Sequence, residues 1–446
     1  MAQILATTST GYIAHSVPSD TGDTARERLI NAATACLSAF GLFVILLTLT
    51  PFQGASFAET TPSADGNIVN QVGYLSLGAI YLFSMLAFVD RRVLISAISP
   101  SWFIIIAIAF WAAQRAYLPD AATRGVLLTL IATIPVAGVV LLPRRERDFV
   151  NAAANAVLLL ILIDYAALVI IPDAAIHTAA GGEPWHAGSW RGHLMHKNYA
   201  APIFSVLAMF GIYCWRSGLR WRGPAITLLA IIFVLHTQSK TTIGFLPLAI
   251  MTVFLTRATG RPLFTVAVHM LLFMAIGMLT IGTVIFPRMV PITKAIIEDS
   301  TFTGRDEIWI FGIQNLMKQP WTGFGTFSFW LTPVVARQEP NYEASWDVRG
   351  IVSGHNSYLD AFLYFGIPAG LVVILILTLK PMRDYCRAYK HPENRHLADF
   401  FMMVVVLMTY VGMLEAFILA RADPLWMMFV LGVFGLSMLS RRTVRN

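Results

Sequence analysis

Twelve apolar runs, several close to twenty residues long, are separated by short connections that carry clustered arginines. A bilayer crossing needs about 20 consecutive apolar residues, so this pattern predicts an all-α polytopic membrane protein. The runs fall at roughly 29–50, 68–89, 99–114, 125–142, 150–171, 199–215, 223–238, 242–256, 263–287, 356–379, 398–420 and 424–440. The third, sixth, seventh, eighth and last are short for a full span. Composition agrees: 57% of the 446 residues are hydrophobic and 13% charged, about half the charge of an ordinary soluble domain. That balance excludes intrinsic disorder, which needs low hydrophobicity and high charge. The net charge of +7 is not a nucleic-acid signal, because the basic residues lie between apolar runs rather than on one soluble face.

Cytoplasmic loops of membrane proteins carry an excess of Lys and Arg. With both termini cytoplasmic, the inner connections hold twenty basic residues and the short outer loops six: Arg115, Arg124, Arg191, Lys197, Lys240 and Arg421. The remaining six lie in one long outer segment, balanced there by Glu298, Asp299, Asp306, Glu307, Glu339, Glu343 and Asp347. The expected organisation is a cytoplasmic tail over 1–28, nine spans over 29–287, a long periplasmic loop over 288–354, three spans over 355–440 and a cytoplasmic tail over 441–446. Residues 1–28 lack the early apolar core of a cleavable signal peptide, so the run from Leu29 is expected to remain as a first span. Trp309, Trp321, Phe324, Phe327, Phe329, Trp330 and Trp346 predict that the long loop folds over the outer face.

Ionisable residues inside apolar spans are costly and mark function. Asp164, Asp360, Glu415 and His236 fall near the outer ends of their spans, and with Lys240 and Arg421 they suggest a polar cavity opening outward. Within the long loop, Thr303-Gly304-Arg305-Asp306 reads as a helix start, with Thr303 as cap and Asp306 reaching back to it. Arg305 is a cation in a first turn, where the helix dipole favours anions. An anionic ligand bound there would account for it. His355, where this loop meets the tenth span, is placed for proton transfer near neutral pH. Arg191, His193, His196 and Lys197 gather four potentially cationic groups at a second junction, and Gln238-Ser239-Lys240 puts a lysine in a tight outer turn. Such donors at one membrane face suit a phosphate-bearing lipid.

Other chemistries lack their motifs. The sequence has no Walker motif, no HExxH, no CxxC and no Asp-x-Asp, and Cys36, Cys214 and Cys386 are scattered. No metal site or cofactor is expected from it, and nothing supports a cytosolic nucleotide-sugar enzyme. A secondary transporter would call for paired repeats and broken mid-membrane helices, which the sequence does not display. A polysaccharide or lipid transporter is the rival class, and a non-catalytic partner in envelope assembly is a third.

Taken in order, Gly192 to Asn198 (GHLMHKN), Ser239-Lys240-Thr241, Thr303 to Trp309 (TGRDEIW), Pro320 to Gly325 (PWTGFG) and His355-Asn356 with the later Gly366 resemble the O-antigen ligase and polymerase family. The likeness covers about residues 185–380. It implies a GT-C-like fold and a glycosyltransferase of the bacterial inner membrane. Such an enzyme would pass undecaprenyl-diphosphate-linked oligosaccharide or polysaccharide, at the periplasmic face, to a growing glycan (polymerase) or to lipid A-core (ligase). It would work among membrane lipids, alongside envelope polysaccharide assembly proteins. The resemblance places Arg305 and Lys240 on the diphosphate and His355 at the acceptor or proton-transfer position. With the reading of the residues themselves, Arg191, His196 and Lys197 are further candidates for the diphosphate, Arg305 joins His355 in catalysis, and Asn356, Asn198, Asp360 and Glu415 are candidates for support. The family's ligases carry Arg where Lys240 stands, and Gly, Thr or Tyr where Ala369 stands. Both departures loosen the ligase assignment, and the Ser239-Lys240-Thr241 form resembles the exopolysaccharide polymerase branch more closely.

Overall fold

The structure, a computed structural model, describes residues 24–53, 68–179, 184–297, 299–330, 332–339 and 347–444. Glu298, Glu343, Trp346 and Arg445, and most of the expected cytoplasmic tail at the start of the chain, lie outside the described residues.

The helices are α1 (Ala25–Leu47), α2 (Ile68–Phe88), α3 (Arg91–Ala97), α4 (Pro100–Ala113), α5 (Pro119–Leu141), α6 (Glu146–Ile170), α7 (Pro172–Ala175), α8 (Lys197–Arg216) and α9 (Arg222–His236). They continue with α10 (Lys240–Thr259), α11 (Pro262–Leu279), α12 (Gly282–Ile285), α13 (Val290–Ile296), α14 (Arg305–Leu316), α15 (Pro333–Ala336), α16 (Ser357–Ala388), α17 (Arg395–Val411) and α18 (Pro424–Leu439). Every apolar run of the sequence coincides with a helix, and no strand occurs among the described residues. Eight helices are long and apolar enough to cross a membrane; α3 and α4, bent by 56°, would make a ninth. The bend has a local cause: Pro100 sits at the first turn of α4, where its ring is tolerated but cannot continue α3. α9, α17 and α18, at 15, 17 and 16 residues, are shorter than these eight.

A helix that is apolar all round belongs in a membrane or a large core. Both cases occur here. α17 is buried along nearly its whole length and α8 along most of it, whereas α2 and α11 expose Phe83, Leu86, Leu271 and Met274 outward. α17 and α8 pack on each other and on α18, and α10 also packs on α17. A buried charge in a low-dielectric interior needs a partner, and this bundle supplies one. Arg216 of α8 meets Asp399 of α17 at 2.8 Å, and Tyr385 of α16 donates to the same carboxylate at 2.9 Å. One buried anion therefore ties three helices.

The sequence displayed no broken helix, but the structure has one in α16. Gly366 stands at φ 76 and ψ 169 inside it. The turn Pro320–Gly325 docks into that break through its backbone: Phe324 N–H donates to Leu363 O at 2.7 Å, Gly325 N–H to Tyr364 O at 3.1 Å, and Ile367 N–H to Pro320 O at 2.7 Å. The loop thus satisfies carbonyls that the kink frees.

Candidate active site

The long loop positions Arg305 by an unusual entry into α14. The Asp299 carboxylate accepts from Thr301 N–H at 3.0 Å, Thr301 Oγ1 at 2.6 Å and Thr303 N–H at 2.8 Å. The Thr301 hydroxyl, the largest influence, and the backbone N–H groups hold that carboxyl below its ordinary value. Phe302, Thr303 and Gly304 follow with φ of 54, 64 and 78. The expected capping box does not form, because Gly304 occupies the N-cap in the left-handed region and makes no side-chain cap. Thr303 is engaged by Asp299 instead.

Arg305 does not pair with its neighbours Asp306 or Glu307. Its Nη2 donates to Glu415 Oε1 at 2.9 Å, and its Nη1 donates to the Leu414 carbonyl. The other oxygen, Glu415 Oε2, lies 3.5 Å from His355 Nδ1. A single carboxylate therefore stands between the guanidinium and the imidazole. The three side chains remain 14%, 15% and 25% exposed for Arg305, Glu415 and His355, so a substrate can reach them. The sequence placed Glu415 inside a span; α17 in fact ends at Val411, and Glu415 belongs to the connection before α18.

Each residue around His355 has a visible task. His355 has φ 46, a left-handed conformation costly for a residue with a Cβ. It is held from both sides. Gly354 N–H donates to both Asp360 oxygens at 3.1 Å, and its carbonyl accepts from Trp309 Nε1 at 3.0 Å. Asn356 caps α16 by accepting from the N–H groups of Tyr358 and Leu359, and donates to Met413 O at 2.9 Å. The Ser357 hydroxyl donates to Glu415 O and accepts from Phe417 N–H. Asp360 also accepts from Trp330 Nε1 at 2.8 Å. It fastens the loop to α16 and does not face Glu415's cluster through any of these bonds.

Burial alone would raise the Glu415 carboxyl, but Arg305 and then His355 hold it down at about 2. A carboxyl depressed in this way contributes stability above its ordinary value of 4.5 that is lost as pH falls towards 2. The stability difference between the wild type and Glu415→Gln, followed by thermal melting, should stay constant above about pH 4.5 and shrink below it. A difference growing with acid would contradict the pairing.

The remaining cations named from sequence behave differently. Lys240 is exposed in the first turn of α10. Its helix end lies beside the end of α17 that leads to Glu415, since the rings of Phe245 and Tyr410 are 5.8 Å apart. Arg191 folds back on its own loop, donating to Met195 O at 3.2 Å and Asp173 O at 3.3 Å. His196 is the N-cap of α8, accepting from Asn198 N–H at 3.1 Å, and its ring contacts those of His177 and His186. Lys197 is buried and donates its N–H to His177 Nε2. These contacts order the outer loop.

Asp164, His236 and Arg421, expected with Asp360, Glu415 and Lys240 to line one outward cavity, each have a local partner. Asp164 is fully buried against His193 Nδ1 at 2.9 Å, and His193 Nε2 meets Leu46 O at 2.8 Å. His236 stacks on Trp190 with centroids 4.1 Å apart. Arg421 lies over the Phe327 ring at 4.7 Å.

Two neighbours of the cluster escaped sequence reasoning. Asp423, the N-cap of α18, is bonded by Tyr199 of α8 and feels the charge of Glu415. Burial, with Glu415 adding to it, pushes its carboxyl up to about 7 against the N–H groups of Trp426 and Leu425. The signal was Asp423-Pro424 ahead of an apolar run, a helix start. α8 thus approaches the cluster through Tyr199.

A polytopic helical membrane protein with a guanidinium and an imidazole on one carboxylate, at the end of its bundle, has the groups for acyl, phosphoryl or glycosyl transfer to a hydroxyl. A family model described as O-antigen ligase matches residues 225–375, a stretch that contains Lys240, Arg305, His355 and Gly366. The chain is thus O-antigen ligase/polymerase-like over that third of its length, a membrane enzyme type of envelope polysaccharide biosynthesis. Glu415 and Asp423 lie beyond the matched residues. No curated protein matches the chain.

Proposed function

We propose that this protein is a membrane glycosyltransferase that extends or transfers undecaprenyl-diphosphate-linked glycan at the periplasmic face of the bacterial inner membrane. Polymerisation is the favoured outcome, and ligation to lipid A-core the alternative. The observation that carries the reading is the shared Glu415, 2.9 Å from Arg305 and 3.5 Å from His355. It orients a phosphate-binding cation beside a proton acceptor.

In this mechanism the acceptor hydroxyl attacks the anomeric carbon and the bond to the diphosphate breaks in the same displacement, which inverts the centre. Nδ1 of His355 faces Glu415, so Nε2 is the nitrogen that takes the hydroxyl's proton. Arg305, with N–H groups beyond the two donated to Glu415 and Leu414, stabilises the charge that grows on the leaving diphosphate. Lys240, exposed at the same end, adds a point charge without the bidentate grip of arginine. The diphosphate is already an activated leaving group, so the residues named suffice for the step.

Purified protein in nanodiscs, given a lipid-diphosphate glycan, should transfer sugar at an unchanged rate in EDTA. Lys240→Ala should raise the donor KM about tenfold, and Lys240→Arg should restore it. Loss of transfer in EDTA, or an unaltered KM in Lys240→Ala, would contradict these roles. The glycan profile of a deletion strain separates the two outcomes: single-repeat caps mean polymerase, and bare core with accumulated lipid-linked polymer means ligase.

A further inference from the structure

A cavity of about 670 Å³ lies away from Arg305 and His355. Its walls are apolar, including Leu42 of α1, Val139 of α5, Val157 of α6, Leu207 and Phe210 of α8 and Leu431 of α18. Its mouth carries Arg144, Arg145 and Arg442. α18 gives the direction. Its N-cap Asp423 neighbours Glu415, while the cavity follows the helix from Met428 to Leu439 and Arg442. The mouth is therefore at the opposite end of the bundle from the candidate active site. Between Met428 and Leu439 a helix rises about 17 Å, close to half of a hydrocarbon core about 30 Å thick. The depth is that of one leaflet.

We infer that this cavity holds one anionic phospholipid of the surrounding leaflet, its acyl chain along α18 and its phosphate among Arg144, Arg145 and Arg442. Basic pockets between membrane helices bind lipid headgroups in this way. Two acids, Asp90 and Glu146, line the cavity beside the three arginines and leave it a formal charge of +1; Asp90 accepts from Arg92 N–H at 2.7 Å, and Glu146 accepts from Tyr213 at 2.6 Å. Arg144 donates to Phe88 O at 3.3 Å and Arg442 to Ser96 Oγ at 2.9 Å. Both bonds fix a guanidinium while leaving its other N–H groups for a phosphate. Among the described residues no carboxylate lies within salt-bridge distance of Arg144 or Arg442. Charge complementarity selects an anionic headgroup, and the one-leaflet depth selects an ordinary acyl chain over a longer polyprenyl tail. The inference is independent of the proposed transfer reaction.

The test is native mass spectrometry of the full chain, purified in detergent and titrated with phosphatidylglycerol or with phosphatidylcholine of the same acyl chains. One phosphatidylglycerol per chain should be retained at concentrations at least tenfold below those needed for phosphatidylcholine. The double variant Arg144→Gln/Arg442→Gln, altered only at the mouth, should lose that preference while keeping its glycan transfer. Leu207→Trp, which fills the cavity, should lower retention of both lipids about tenfold. If that variant melts early, the arginine pair alone decides. Equal binding of the two lipids by the wild type would overturn the inference. So would a preference that survives the arginine substitutions, or undecaprenyl phosphate displacing phosphatidylglycerol at equal concentration.

Discussion

Glu415→Gln is expected to reduce glycan transfer about 100-fold, with Arg305→Ala and His355→Ala losing about 1,000-fold each. Glutamine keeps the shape and one acceptor but removes the charge that holds Arg305 Nη2 at 2.9 Å and faces His355 Nδ1 at 3.5 Å. Both groups are then free to turn away from the substrate. Because they act on one carboxylate, the losses should not add: Arg305→Ala/Glu415→Gln should be little worse than Arg305→Ala alone. The measurement is initial rate with a lipid-diphosphate glycan, against variants matched for melting temperature. Full activity in both Arg305→Ala and His355→Ala would remove this cluster from the reaction. Additive losses would mean that Glu415 acts elsewhere.

The second large effect concerns backbone, not charge. A Cβ on Gly366 would fall 2.5 Å from the carbonyl carbon of Trp321, at φ 76, and one on Gly323 would fall 2.5 Å from the Gly366 nitrogen, at φ 62. Neither neighbour is a flexible side-chain tip, so the docked turn must separate from α16. Gly366→Ala and Gly323→Ala should each cost at least about 2 kcal/mol and lower transfer about as severely as loss of His355. The turn follows α14, which begins with Arg305, and the break lies in the helix that begins just after His355. Separating them shifts one group against the other. Gly244→Ala on α10 is the control, since a Cβ there meets nothing within 4 Å and alanine favours a helix. Wild-type melting and rate in Gly366→Ala would show that the clip has no positioning role.

The helices were legible because apolar length is a local property; each of the twelve runs is helical. Their ends were less so. α17 stops at Val411 although apolar residues continue to Leu419, because the chain turns there to bring Glu415 to Arg305. That partnership spans more than a hundred residues, and no spacing rule reports it. Arg305 stood out as a cation in a first turn, and the structure supplies a charge partner, but neither of the adjacent acids. The misreading at Thr303 has a definite cause: the residue has the right side chain for a cap and the wrong backbone, with φ 64. The contacts of the cationic loop residues were hidden for a related reason. A sequence shows that Arg191, His196 and Lys197 are charged or polar, but not that Arg191 donates to a loop carbonyl, that the His196 ring meets His177, or that the Lys197 backbone N–H bonds to His177.

Glu415 comes from the stretch after α17, outside the residues that match the family, while both groups it serves come from inside. Hybrids that exchange everything beyond residue 375 between related enzymes would therefore keep the reactive pair and trade its anchor. In such grafts a lost acid is a broken tool and a displaced one a re-aimed tool, so the final two helices are a place to seek altered acceptor choice.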